Sequence, residues 1–303
     1  MRTDSTCLAS NRSRSLGMWI GFAVWTALCG AGCQETSSHG TSDLGTSTDL
    51  ATTRADLYQP PDLSHPPAVS MTIRDINDGK VSAGTWVVVE GVVTAPSVLG
   101  SAIMLNQQCL YELVIGQPAA APTLHDGIAL RLSEVVATGD MMVTPADCQS
   151  RAAGSILGKV SRGDAVTVTA QFVVFGSLRY LNLAGGQLTS QGPAATKPQP
   201  VLVTTSQLVS ATLGGVTPAA FFDANGALVR FASVTTTQRN NLNQSWKIAA
   251  SGSETRLGPA YLRVANAAFA PPADGTVYSS VTGIVAIDLA GTVTPRDASD
   301  LVP

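Results

Sequence analysis

The chain has 303 residues, of which 45% are hydrophobic, 13% charged and 5% aromatic. That is enough apolar material to bury a core, so wholesale disorder is excluded, and at roughly 150 residues per domain the length suits about two domains. Lys and Arg number 18 against 21 Asp and Glu, a net charge of −3, which excludes a polybasic nucleic-acid protein and an acidic solvating tail.

Arg2, Arg12 and Arg14 precede an apolar run from Leu16 to Leu28, and Gly30, Ala31, Gly32 and Cys33 follow it. A basic start, a short apolar stretch and small residues after it describe a secretory signal. At about 1.5 Å per residue the run reaches roughly 20 Å, short of a bilayer core of about 30 Å. Gly30-Ala31-Gly32-Cys33 resembles the bacterial lipobox, whose cysteine receives a lipid before cleavage; Gly30 stands where that motif favours Leu. The resemblance implies a signal peptide over 1–32, lipidation at Cys33 and a membrane partner held through the lipid anchor. Gln34 after the cysteine implies sorting to the outer membrane of the cell envelope, on a face it does not specify. Ordinary cleavage near Ala31, leaving a soluble protein, is the alternative.

Residues 33–68 are Ser, Thr, Pro, Gly and Asp with few large side chains, and Asp-Leu recurs at Asp43, Asp49, Asp56 and Asp62. A heptad helix is excluded by Pro60, Pro61, Pro66 and Pro67. A disordered tether is expected, with an end-to-end distance of about 30–35 Å. His39 and His65 fall in it as solvated residues.

From Val69 the texture changes to short Val, Thr, Ile and Leu runs separated by Gly and Pro, the pattern of an all-β sandwich or barrel. Residues 193–200 read as a linker between units over 69–192 and 201–303. In the first unit strands are expected at Trp86–Thr94, Ala102–Leu105, Leu110–Ile115, Ile128–Leu132, Asp164–Phe175 and Leu178–Leu183. Val166, Val168, Ala170, Phe172 and Val174 alternate with Thr167, Thr169 and Gln171, the period of a strand with one wet face. In the second unit strands are expected at Leu228–Thr237, Ser245–Ala249, Tyr261–Ala265 and Val277–Ile287, the last with Val277, Val281, Val285 and Ile287 inward. Asn225-Gly226 marks a turn before the first of them.

Gly84-Thr85-Trp86-Val87-Val88-Val89-Glu90-Gly91 resembles the first strand of OB-fold modules in bacterial secreted proteins. Gly163-Asp164-Ala165-Val166-Thr167-Val168 with Phe175-Gly176, and Pro295-Arg296 with Asp300, resemble their later strands. The resemblance implies two tandem OB-like Greek-key β-barrels after the tether, the first carrying an insertion over about 133–162. Such modules accompany secreted nucleases and also stand on lipoproteins, and OB-like barrels bind oligonucleotides or oligosaccharides across strands 2–3 and the adjoining loops.

Cys7 and Cys29 leave with the signal, so Cys109 and Cys148 remain as an even pair in an exported domain, and a disulfide is expected. Two buried thiols or a redox pair are the alternatives, although the spacing lacks the C-x-x-C signature. No metal or cofactor is expected, since the folded part holds only His125 beside those two cysteines. Asp75-Ile76-Asn77-Asp78-Gly79 reads as a turn rather than a calcium loop, and His125-Asp126 as a turn pair. No nucleophile or phosphate-loop motif occurs. A hydrolase would need converging carboxylates such as Asp126 and Glu134 near the insertion.

Alternation puts Arg230, Lys247, Tyr261 and Arg263 on one wet face of the second unit, a candidate ligand surface, with solvated charges on a barrel wall as the plainer reading. In the first unit Phe175 and Tyr180 form a candidate stacking pair, or cap the barrel end. Residues 69–198 hold 8 basic and 9 acidic residues and residues 199–303 hold 6 of each, which favours a protein or neutral glycan ligand over nucleic acid. The expected function is therefore a non-catalytic, envelope-anchored binding module. The alternatives are a single-stranded nucleic-acid-binding accessory of extracellular nuclease systems and the hydrolase.

Overall fold

The computed structural model describes residues 66–103, 108–135, 145–152, 154–211, 216–240, 244–265, 268–287 and 291–303. Residues 1–65, which hold the expected signal, Cys33 and all but the last three residues of the expected tether, with His39 and His65, lie outside them.

The first module opens with β1 (Val69–Ser70) and α1 (Ile73–Asn77). Thr72 starts α1, because its hydroxyl accepts the Asp75 N–H (3.1 Å) that the first helical turn leaves without a partner. The expected turn is thus partly helical, and the chain reverses after Asn77. Five strands follow: β2 (Trp86–Ile103), β3 (Gln108–Gly116), β4 (Gly127–Val135), β5 (Asp164–Phe175) and β6 (Leu178–Pro193). Their order is β2-β3-β4-β6-β5, closed by a β2–β5 pairing, with β4 and β6 parallel and the other neighbours antiparallel. That is a closed five-stranded OB-like Greek-key barrel. The insertion contributes α2 (Pro145–Ala152) and a 3-10 turn (Ile156–Lys159).

The strand pattern follows burial. Val166, Val168, Ala170 and Phe172 of β5 point into the core, as the alternation requires. Val174 was expected inward but is 40% exposed, because β5 runs past the end of the core. Ile73 and Ile76 of α1 enter the core from the side of Ile115, near Gly91. Cys148 of α2 and Leu157 enter it beside Cys109 and Tyr111. The Cys109–Cys148 disulfide is formed, with Cα atoms 5.4 Å apart, and the Tyr111 hydroxyl donates to the Cys148 carbonyl oxygen (3.0 Å).

The second module repeats the plan with β7 (Val201–Leu202), α3 (Ala219–Asp223), β8 (Leu228–Arg239), β9 (Trp246–Ala250), β10 (Ser253–Leu257), α4 (Ala260–Ala265), β11 (Val277–Ala286), β12 (Thr292–Thr294) and β13 (Leu301–Val302). Its barrel order is β8-β9-β10-β12-β11, closed by β11–β8, with β10 and β12 parallel. In each module a two-residue strand runs parallel to the first barrel strand, β1 on β2 and β7 on β8. Val229 and Phe231 of β8 are buried, but further on Val234 and Thr236 are. The side chains change phase at Ser233, whose φ is 50°. Opposite it, β11 changes phase as well. Val277 was expected inward yet is 64% exposed, and Tyr278 takes the core position.

The barrels pack on each other. Ala95 and Val114 of the first form a buried cluster with Leu228, Tyr261 and Ile284 of the second. Burial of each large apolar side chain, at about 1.5–3 kcal/mol relative to exposure, favours this contact. Polar contacts frame it: Asn225 donates to the Arg179 carbonyl oxygen (3.2 Å), and Arg162 pairs with Asp297. Arg74 clamps Asp126 from two nitrogens (2.8 and 2.7 Å), tying α1 to the loop before β4. Burial pushes the Asp126 carboxyl up, but Arg74 and the Thr123 N–H outweigh it and hold the group below the ordinary carboxylate range.

Candidate ligand-binding wall of the first barrel

Strands β3 and β4 alternate, so one set of side chains fills the barrel and the other faces out. Glu112 and Arg131 are direct cross-strand partners on the outer face. Arg131 donates to Glu112 through Nε (3.0 Å) and pairs through Nη2 (2.9 Å), so its charge is compensated. Its guanidinium also lies 4.9 Å from the centre of the Tyr180 ring, a cation–π contact. Higher on the wall Ser133 donates to Gln108 (3.0 Å), and Val135 at the strand end is 67% exposed.

Tyr180 lies on β6 opposite Val173, and Leu178 lies opposite Phe175 across the Gly176–Ser177 turn. Phe175, Val173, Leu178 and Tyr180 therefore share one face, and Phe175 is 61% exposed. The two aromatic side chains singled out in the sequence thus share one face near the turn between the last two barrel strands, Tyr180 diagonal to Phe175. The other half of the wall is closed, because Val114 lies under the second barrel.

The second predicted surface is not assembled. Arg230 is exposed on β8, as expected. Lys247 faces out on β9 but donates to Glu254 (2.8 Å). Lys247 and the Thr237 hydroxyl together hold the Glu254 carboxyl below its ordinary value. Tyr261 and Arg263 lie on the helix α4, not on a strand. Tyr261 is only 3% exposed; burial, with the Glu112 carboxylate as a smaller influence, pushes its phenol well up. The third barrel strand is instead β10, Ser-Glu-Thr-Arg-Leu, whose polar texture hides it, since Arg256 is buried to 6% exposure. Five residues of Tyr-Leu-Arg-Val-Ala are too few to separate a two-residue from a 3.6-residue period.

Asp126 and Glu134 stand at opposite ends of β4, about 26 Å apart at roughly 3.3 Å per residue, so they do not converge. His125 contacts Asp78 (2.6 Å). Among the described residues no three His, Cys, Asp or Glu side chains are grouped to hold a metal ion. A cleft of about 530 Å³ opens beside α1, where Asp75 and Glu90 face Gln117 and Gln191, and Lys80 engages Asp75.

No protein-family model matches the chain, and no curated protein matches it. Among solved structures it is similar to a deletion mutant of the single-stranded DNA binding protein from Thermus aquaticus, with 10% identity over 69% of this chain and 90% of that one. The TM-score is 0.22, at which the likeness carries no argument.

Proposed function

We propose that the protein is an exported, non-catalytic lipoprotein of the cell envelope, anchored at the outer membrane through Cys33, whose first barrel binds a neutral glycan. The exposed Phe175 beside Tyr180 on the outer face carries this reading. Aromatic faces stack on flat apolar surfaces whatever the charge of the ligand. The cation that contacts the Tyr180 ring, Arg131, is already paired with Glu112, so its charge is compensated rather than offered to a phosphate.

Fluorescence anisotropy of the full chain in dodecyl maltoside, with labelled neutral oligosaccharides and single-stranded DNA at low and moderate salt, tests the ligand. Glycan binding is expected to be indifferent to salt. It should weaken about tenfold in Phe175→Ala or Tyr180→Ala, in line with roughly 1–3 kcal/mol for a stacked ring. Phe175 is exposed, so its truncation leaves the core intact. DNA binding that falls steeply with salt, or no glycan binding, would overturn the assignment in favour of the nucleic-acid accessory or a protein partner. The anchor has its own test: labelled palmitate is expected in the exported wild-type chain and not in Cys33→Ser, and label persisting in the variant refutes it.

A further inference from the structure

A second cleft, of about 350 Å³, lies where the barrels and the segment joining them meet. Arg162, Lys197 and Arg296 line it, with Thr94 and Gln199, and among the described residues no carboxylate does. The two arginines have acidic partners behind the lining. Asp300 takes Arg296 from two sides, through Nε (2.8 Å) and Nη2 (2.6 Å), and Arg296 is therefore fixed rather than free to reach a ligand. Arg162 gives a single amino nitrogen to Asp297 and keeps its other N–H groups. Lys197 is exposed and forms no ion pair among the described residues. The cleft thus holds one uncompensated positive charge, on Lys197, beside the open donors of Arg162. Arg230, on the same outer face of β8 as the lining residue Leu228, adds a further cation about 7 Å along the strand.

We propose that this cleft binds a phosphate ester. The open donors, on Lys197 and Arg162, stand on separate elements around a volume instead of forming one planar fork, and the one fork held from two nitrogens, that of Arg296, already has an aspartate. A tetrahedral group with several acceptor oxygens reaches Lys197 and Arg162 together. The volume suits a small molecule or a single headgroup. The group can come from a soluble phosphate ester or from a phospholipid headgroup, and neither source depends on the glycan reading of the first barrel.

Calorimetric titration of the full chain in dodecyl maltoside with glycerol phosphate tests the soluble source. Flotation of the Cys33→Ser chain on phosphatidylglycerol vesicles, compared with the same chain carrying Lys197→Gln so that its retained apolar Leu16–Leu28 segment contributes equally to both, tests the headgroup. Lys197→Gln is expected to weaken whichever binding occurs by about tenfold or more, as removal of a hydrogen bond to a charged group does, and Lys197→Arg to retain it. Lys197 is exposed, so neither variant disturbs the fold. Heat from glycerol phosphate that depends on Lys197 supports the soluble ester. Flotation alone that depends on Lys197 supports the headgroup. No binding in either arm, or binding unchanged in Lys197→Gln, overturns the proposal.

Discussion

Gly127→Ala is expected to force the two barrels apart. A Cβ on Gly127 would stand 2.0 Å from the Gly226 carbonyl oxygen, 2.5 Å from its carbon and 2.8 Å from the Ala227 Cα. All three are backbone atoms, so no side chain can swing away to make room. From the other side, Gly226 has φ +84° and would itself place a Cβ 2.9 Å from the Ile128 backbone. Two backbone segments therefore meet with no side chain between them, at the edge of the cluster that buries Val114, Leu228, Tyr261 and Ile284. Overfilling a packed site costs about 1–3 kcal/mol and sometimes more, and a backbone clash sits at the upper end. The expected result is a lower urea midpoint together with a larger radius of gyration by X-ray scattering, because the barrels lose their contact while each keeps its own core. Gly154→Ala is the control: its methyl would meet only the Arg151 carbonyl oxygen, at 3.6 Å. Unchanged midpoint and radius in Gly127→Ala would show that the barrels are not docked through this contact.

Period-two alternation made the barrels legible. Val166, Val168, Ala170 and Phe172 announce one buried face of β5, and Val229 and Phe231 do the same for β8. The aromatic pair was legible for a related reason: Phe175 falls in the outward register, and Gly176-Ser177 turns the chain so that Tyr180 returns on the next strand of the same face. Alternation failed where backbone geometry resets the phase. Ser233 with φ 50° shifts β8 and its partner β11 together, so Val277 emerges and Tyr278 enters the core. No local residue pattern predicts a paired slip of this kind, because it depends on both strands.

The error at Tyr261 has a different source. Tyr261 was placed on a wet face, and it is the side chain that docks one barrel on the other. Burial of that kind is set by a partner surface more than 140 residues away in the chain, at Val114 and Ala95. One signal did point to it. Leu113-Val114-Ile115-Gly116 is a continuous apolar run at the end of an otherwise alternating strand, and all four residues are buried. A strand apolar on both sides is covered on both sides. The covering element had to be another domain, since the first barrel's own core accounts for only one face. The same closure covers half of the outer wall and leaves the upper half, with Arg131, Tyr180 and Phe175, outside the contact.

The Cys109–Cys148 bridge is expected to carry a large share of the first module's stability. Its sequence separation is 39, and closing a loop of about 40 residues removes unfolded-chain entropy corresponding to roughly 4 kcal/mol. Both cysteines are fully buried in the first barrel's core, where Cys148 enters from α2 and Leu157 from the following turn. Without the bridge, the Tyr111–Cys148 hydrogen bond and the Leu157 contacts remain to hold the insertion. A net hydrogen bond contributes about 0.5–1.5 kcal/mol, less than the loop entropy returned to the unfolded chain. The paired substitution Cys109→Ala with Cys148→Ala avoids leaving one buried polar thiol and preserves a dry core. It is expected to lower the stability of the first module by about 2–4 kcal/mol. The loss should appear first as faster amide exchange across 145–160, while the second barrel, with its separate core, exchanges as before. Dithiothreitol added to the wild-type chain should reproduce the change. An unaltered urea midpoint and unaltered exchange in the double variant would mean that the insertion is held by packing alone.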